Sequence, residues 1–314
     1  MILVTGGCGF IGSHLSEALL RRGDRVRILD DLSTGLEENL APGAELVIGD
    51  VADPVTVSRA MEGVDACFHL AAIASVERGA QDPCGAHRVN LSATVGMLDA
   101  ARARSTPIIY ASSAAVYGDL ADLPIVEDAP TRPLSAYGAD KLGCELHARV
   151  AGVVHGVPTM GLRFFNVFGP RQDPRSPYSG VISIFCERLA RGEGVTIFGD
   201  GQQTRDFVVV EDVVSALLAG QEAARVDAPV LNVCTGRSTS ILDLATAIAE
   251  VCGVRAEIRH VPPRSGEIRH SLGSPERART LLGLKEAKKL RTGLEGVIDW
   301  LRAGRPGLTR ASQE

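Results

Sequence analysis

The chain reads as an α/β protein with a doubly wound parallel sheet and a smaller α/β lobe towards its C-terminus. Three observations predict this. Short β-rich runs alternate with helical patterns through the first half, a glycine-rich turn joins the first run to the first helix, and an acidic pair closes the second run. Such alternation implies right-handed βαβ units and a sheet covered by helices on both faces.

The elements follow in order. Strands are expected at 2–5, 25–30, 45–48, 66–70 and 108–112, with helices at 11–22, 54–61, 86–103 and 135–151 between or after them. Another strand follows at 159–165. After Gly169 the texture changes, and 170–180, rich in Pro, Arg, Ser and Gly, reads as a loop. A helix at 181–191, a strand at 195–198, and strands at 207–210 and 231–233, each leading into a helix, complete the pattern. The polar tail after Gly304 is expected to fray. The first domain is assigned to 1–168 with return segments at about 206–235, and the lobe to 169–205 and 236–314.

Bulk properties narrow the function. The 314 residues suffice for about two domains, and a hydrophobic fraction of 45% with a charged fraction of 23% is ordinary for a globular chain. A net charge of −5 without any basic run argues against nucleic-acid or membrane-surface binding. No apolar run approaches the roughly 20 residues that span a bilayer. The chain enters its first strand at once, so no leader is expected. Seven scattered cysteines, never spaced as CxxC, fit reduced thiols and a cytoplasmic location. The seven histidines show no ligand spacing, so no metal is expected.

The glycine turn carries the first chemistry. Gly6, Gly9 and Gly12 in Thr5-Gly6-Gly7-Cys8-Gly9-Phe10-Ile11-Gly12 allow a tight turn and close approach of a pyrophosphate, which then meets the N–H groups and positive dipole end of the following helix. The flanking strand and helix are the context that confirms such a motif. Asp30-Asp31 ends the second strand at the distance expected of an acid that binds the adenosine ribose hydroxyls. A carboxylate there repels the 2′-phosphate of NADP, so NAD is the expected cofactor; Asp30 is favoured over Asp31, which could be an exposed loop acid.

Lys141 is the only lysine in the first 284 residues, in a chain that otherwise uses arginine for its positive charges. It stands one helical turn after Tyr137, on the same face. An ammonium beside a phenol favours the charged phenolate, which can act as a general base.

At this point the residues resemble the extended short-chain dehydrogenase/reductase family and, within it, the UDP-hexose 4-epimerases. The resemblance runs through Gly6 to Gly12, Asp30-Asp31-Leu32-Ser33-Thr34-Gly35, Gly49-Asp50-Val51, His69-Leu70-Ala71-Ala72, Asn90, and Ser112-Ser113-Ala114-Ala115-Val116-Tyr117-Gly118. It continues through Tyr137-x3-Lys141, Arg163-Phe164-Phe165-Asn166-Val167-Phe168-Gly169 and the stretch from Gly199 to Phe207. It implies a Rossmann-type NAD domain and a UDP-sugar lobe. It also implies the following roles. Phe10, Ile11, Ser33, Thr34, Gly35, Leu70, Ala71, Ala72, Phe164 and Phe165 join the glycines and Asp30/Asp31 around the cofactor. Asp50 and Val51 lie at the adenine, and Asn90 holds the helix or loop nearby. Ser113 bonds the reacting sugar oxygen, Tyr137 is the base, and Lys141 contacts the nicotinamide ribose. On the substrate side, Ala74 and Ser75 are expected contacts and Asn166 binds the diphosphate. Gly180, Val181, Thr196 and Phe198 border the uracil, and Glu267 reaches the UDP ribose. Arg205 and Arg264 clamp the diphosphate, a task suited to a guanidinium fork. The implied reaction removes a hydride from C4, lets the 4-keto sugar turn over, and returns the hydride to its other face.

Related sugar-nucleotide 4,6-dehydratases carry an Asp-Glu pair where this chain has Ala114 and Ala115, which favours epimerisation over loss of water. Arg264-Ser265-Gly266-Glu267-Ile268-Arg269-His270-Ser271 and 166–174 resemble epimerases of N-acetylated UDP-sugars. Those enzymes have a small gate residue, here Ser271, where glucose-restricted ones have tyrosine. Two residues depart from that group: Glu267 stands in place of Asp, and Ser183 replaces a proline. The expected substrates are UDP-GlcNAc/UDP-GalNAc, with UDP-Glc/UDP-Gal also accepted. A UDP-glucuronate 4-epimerase, another nucleotide-sugar epimerase, an exchangeable-NADP reductase and a non-enzymatic NAD-binding regulator are the alternatives. A homodimer is implied, joined through the helices at 86–103 and 135–151.

Overall fold

The computed structural model describes residues 1–74, 79, 81–174, 180–263 and 268–304. The first half lays down six strands: β1 (Ile2–Thr5), β2 (Val26–Asp30), β3 (Glu45–Ile48), β4 (Ala66–His69), β5 (Ile108–Ser113) and β6 (Thr159–Phe164). Between them lie α1 (Phe10–Arg22), α2 (Pro54–Ala60), α3 (Pro83–His87), α4 (Ala93–Ala101) and α5 (Ala136–His155). The second half supplies β7 (Asn166–Phe168), α6 (Val181–Ala190), β8 (Val195–Phe198), β9 (Thr204–Arg205), β10 (Phe207–Val209), α7 (Val210–Glu222) and β11 (Val230–Val233). After these come β12 (Thr239–Ser240), α8 (Ile241–Cys252), β13 (Ile258–Val261), α9 (Glu276–Leu282) and α10 (Leu290–Arg302).

Seven strands form one sheet in the order β11-β6-β5-β4-β1-β2-β3, and every pairing in it is parallel. The order reverses at β1, which lies between β2 and β4. The period-2 alternation of each strand divides its apolar residues between two cores. Val4, Ile28, Phe68 and Ile109 face one core with Leu15 and Leu19 of α1 and Val213 and Leu217 of α7. Leu3, Leu29, Cys67 and Ile108 face the other, with Val57 of α2, Met97 of α4 and Cys144 and Ala148 of α5. Burial on both faces is why these strands read as near-continuous apolar runs. The helix ends follow local chemistry. Ser135 caps α5 by accepting from the Gly138 N–H at 3.1 Å, and Gly156, at φ 69°, ends it.

Two helices differ from their expected spans. The helix expected over 86–103 starts at Pro83 and is broken by a π turn at Arg88–Ser92. There the Asn90 amide clamps Ile73, accepting from its N–H at 2.8 Å and donating to its carbonyl at 3.2 Å. A long-range clamp of this kind leaves no mark on hydrophobic periodicity. α5 runs to His155 rather than 151 because Val153 and Val154 point outward and give no core-facing signal.

The lobe has its own core, in which Phe168, Phe185, Ile197, Leu244, Ile248 and Ile298 pack together. Three two-stranded ribbons surround it: β7 with β10, β8 with β13, and β9 with β12. β9 and β12 have two residues each, too few to show a period. α9 puts Ala278 into the core of the large sheet beside Leu231.

Candidate active site

The loops after β1 and β4 meet where the strand order reverses, the place at which open α/β sheets bind ligands. Gly6 has φ 70°, and a Cβ on it would stand 2.9 Å from the backbone N and Cα of Ala71. A Cβ on Gly12 would lie 2.1 Å from the Gly6 carbonyl oxygen. Gly9 caps α1 with no side-chain hydrogen bond, and the first turn of α1 holds no acid. The turn therefore leaves backbone N–H groups and the positive helix end open to an anion.

A cavity of about 520 Å³ lies over this turn. Its walls include Gly6, Gly9, Phe10, Ile11, Gly12, Asp30, Asp31, Ser33, Thr34, Gly35, Val51, Leu70, Ala71, Ala72, Ala74 and Phe164 from the sequence-derived set. Asp30 is buried at the end of β2. It accepts from the Cys8 N–H and the Leu32 N–H, each at 2.9 Å. Burial raises its pKa, and those two N–H bonds oppose the rise. Each oxygen keeps a lone pair for a further donor. Gly35 lies against it, since a Cβ there would meet Oδ1 at 2.7 Å. Asp31 is exposed and accepts from the Ser33 N–H at 3.0 Å. These features fit a dinucleotide: space for it, open N–H groups for the pyrophosphate, and a fixed carboxylate for a ribose.

Asp50 does not border the cavity. It accepts from the Ala52 N–H at 2.8 Å and pairs with Arg88 at 2.6 Å, between cavity-lining neighbours Gly49 and Val51. Phe165 packs with Val116, Tyr117, Ile125 and Cys234 instead. Several lining residues were not anticipated: Asn39, Ile73, Arg88 and, from the loop after β7, Arg171, Gln172 and Asp173. Arg88 begins the π turn after the Leu70 loop, and only the fold brings it back to the cavity wall beside Asp50.

The loop at Leu70 is fixed from beneath. Thr5 Oγ1 accepts from the N–H groups of Leu70 and Ala71 at 3.1 and 3.2 Å and lies 2.8 Å from His69 Nδ1. His69 Nε2 lies 3.0 Å from Thr94 Oγ1, which donates to the Asn90 carbonyl at 2.7 Å. The chain of donors assigns the proton of a neutral His69 to Nε2, with Thr5 donating to Nδ1. Burial, then the nearby Lys141 charge, holds the His69 pKa down at about 3.

Ser113, Tyr137 and Lys141 lie beyond the cavity wall at Ala111. Ser113 is two residues after Ala111 on β5 and so shares its face. Its Oγ accepts from the Ala115 N–H at 3.1 Å. The N-terminus of α5 docks on this turn, and a Cβ on Gly138 would reach the Ala115 carbonyl at 2.6 Å. That close approach brings Tyr137, half-buried, beside the end of β5. Lys141 is buried, with Nζ 5.8 Å from the Tyr137 ring centroid.

On the lobe side, Thr196 and Phe198 share the outward face of β8. Asn166 is exposed on β7 and donates its N–H to the Asp206 carbonyl at 3.0 Å. Gly180, exposed, and Val181 begin α6. Arg205 Nη1 donates to the Thr204 carbonyl at 2.8 Å. Ser271 donates its N–H to that same oxygen at 3.1 Å, so the two meet at one strand. Beyond Ser271, Ile125 and Leu272 pair (N–H to O, 2.8 Å), tying this segment to the chain that follows the Ser113 turn. Ser75, Arg264 and Glu267 lie outside the described residues. Among the described residues no helix is long and apolar enough to cross a membrane.

The fold and this crevice together are those of a Rossmann-type dinucleotide-binding protein. Comparison with known proteins is more specific: the chain belongs to the NAD dependent epimerase/dehydratase family, whose model matches residues 2–234. NAD is that family's cofactor. The chain is 39% identical over 309 residues to a UDP-glucose 4-epimerase of Mycolicibacterium smegmatis, covering 96% of this chain and 98% of that one. Its structure is similar to a UDP-glucose 4-epimerase of Thermotoga maritima solved with UDP-glucose (TM-score 0.93, 35% identity, 96% and 99% covered). It is also similar to a UDP-N-acetylglucosamine 4-epimerase of Methanobrevibacter ruminantium in complex with UDP-N-acetylmuramic acid (TM-score 0.91, 33% identity, 96% and 98% covered).

Proposed function

We propose that this chain is an NAD-dependent UDP-sugar 4-epimerase that interconverts UDP-GlcNAc and UDP-GalNAc and also accepts UDP-Glc and UDP-Gal. The observation that carries the reading is the docking of the α5 N-terminus, which bears Tyr137 and Lys141, on the turn that follows Ser113. Ala114 and Ala115 on that turn have no proton to give or take, which supports epimerisation over dehydration.

In this reading the glycine turn and the α1 N-terminus hold the pyrophosphate of NAD, Asp30 holds the adenosine ribose, and the Leu70 loop lies along the nicotinamide half. Bound NAD supplies a hydride acceptor that can also return the hydride. Tyr137 takes the proton of the sugar 4-hydroxyl and gives it back after the 4-keto sugar has presented its other face. Ser113 holds that oxygen, and Lys141 keeps a positive charge beside the phenol. Asn166, Arg205 and Arg264 hold the diphosphate, and Thr196 and Phe198 border the base, so remote binding energy positions the reacting carbon. Ser271 leaves room for a 2-acetamido group. The outward apolar stripe of α5, with Leu146, Val150, Val153 and Val154 at 50–65% exposure, supports a homodimer.

The test is incubation of UDP-GlcNAc, UDP-Glc and UDP-GlcA, each without added NAD, with products resolved by proton NMR. A 4-epimer from UDP-GlcNAc is expected. An epimer only from UDP-Glc or UDP-GlcA would overturn the sugar assignment, and no conversion with or without NAD would overturn the activity.

A further inference from the structure

A buried ionic network stands behind the proposed catalytic groups without touching the cavity. Glu145 lies one helical turn beyond Lys141 on α5. Its Oε1 accepts from Ser112 Oγ at 2.5 Å and from Arg163 Nε at 2.8 Å, while Oε2 accepts from Arg163 Nη2 at 2.7 Å. Ser112 precedes Ser113 on β5, and Arg163 belongs to β6. Glu145 and Arg163 are each 7% exposed. The other arm of Arg163 donates to Tyr117 OH at 2.7 Å and to the Glu127 carbonyl at 3.0 Å. Tyr117 OH in turn donates to Asn232 Oδ1 at 2.7 Å, and the Arg163 guanidinium stacks 4.7 Å from the Tyr117 ring centroid.

A buried ion pair is a poor device for stability, because desolvating two charges offsets most of their attraction, and apolar residues of similar volume often serve as well. What the pair does provide is geometry. A bidentate fork with each of its three nitrogens engaged holds one separation and one orientation. Here it joins the helix that carries Tyr137 and Lys141 to the strand that ends in Ser113. Misplacement of reacting groups by about 1 Å can cost on the order of a hundredfold in rate.

We propose that Glu145 and Arg163, with Ser112, are positioning residues that set the α5–β5 separation and so the placement of Tyr137 against Ser113. The proposal rests on the epimerase reading for its kinetic consequence, but its structural consequence stands without it.

The experiment compares wild type with Ser112→Ala, Glu145→Gln and the double variant Glu145→Met/Arg163→Met, measuring kcat and KM for UDP-GlcNAc, bound NAD, thermal midpoint and crystal structure. For Ser112→Ala, kcat should fall roughly tenfold with KM and NAD content unchanged, and the thermal midpoint should drop only by the one lost hydrogen bond to Glu145. For Glu145→Gln, which leaves Arg163 unpaired, the midpoint and kcat should both fall. The double variant should regain the midpoint but not kcat, and Tyr137 should be displaced relative to Ser113 in its structure. Recovery of kcat together with the midpoint, or a double-variant structure with Tyr137 and Ser113 unmoved, would overturn the proposal. Wild type that turns over no UDP-sugar would refute the epimerase reading, and the structural comparison would still decide the positioning role.

Discussion

His69 makes acid sensitivity a quantitative matter. The imidazole is neutral inside the fold, with its pKa brought from 6.5 to about 3 by burial and by Lys141. In the unfolded chain it titrates near 6.5. Between those values the unfolded state binds one more proton than the native state, so stability rises with pH across the window from 3 to 6.5 and is lost on acidification. The loss is about 1.4 kcal/mol for each pH unit below 6.5, or roughly 2 kcal/mol at pH 5. In a chain of this size that corresponds to a fall of about 3 °C in the thermal midpoint. The control is His69→Gln, which cannot take up the proton. At pH 7.5 the variant should be less stable by about 1 to 2 kcal/mol, because it leaves one of the Thr5 and Thr94 hydrogen bonds unmade. Thermal midpoints of both proteins, measured from pH 7.5 to 5 with NAD saturating, should converge and meet between pH 6 and 5. Other titrating groups are common to the two proteins and cancel in the difference. A gap that stays constant over this range would refute the argument that a neutral, buried His69 holds the loop.

Three further outcomes follow from the site. Gly12→Ala puts a Cβ 2.1 Å from the Gly6 carbonyl oxygen. Overpacking of about 2 kcal/mol should cut NAD affinity roughly thirtyfold, read by calorimetry on stripped protein. Ser271→Tyr should lower kcat/KM for UDP-GlcNAc at least tenfold relative to UDP-Glc, since a pocket contact is worth about 1–3 kcal/mol. Equal loss on both sugars, measured by NMR of the epimer, would remove Ser271 as the gate. Leu146→Glu with Val153→Glu places charges on the outward stripe of α5, where the two side chains are 59% and 64% exposed. Sedimentation should then show a monomer whose thermal midpoint at high salt is lowered only by the lost association.

Much of the sheet was legible because burial on both faces forces apolar runs, and helices must fill the connections between parallel strands. The strands at 2–5 and 45–48 match β1 and β3, and those expected at 25–30, 66–70 and 159–165 match β2, β4 and β6 to within a residue. The short pairs β9 and β12 escaped notice because two residues carry no period.

The cofactor turn was likewise readable by itself. Gly6 and Gly12 are glycines because of contacts with residues near in sequence or at one fixed neighbouring loop, and such demands show directly in residue type. Lys141 announced itself by being a lysine among arginines. The tertiary structure decided the rest. The π turn that aims Asn90 at Ile73, the return of Arg88 and Gln172 to the cavity, and the meeting of Glu145 with Ser112 and Arg163 all join residues far apart in the chain. Local propensity carries no information about such pairs. Only the order of strands, set by burial and chain crossing, brings them within hydrogen-bond reach.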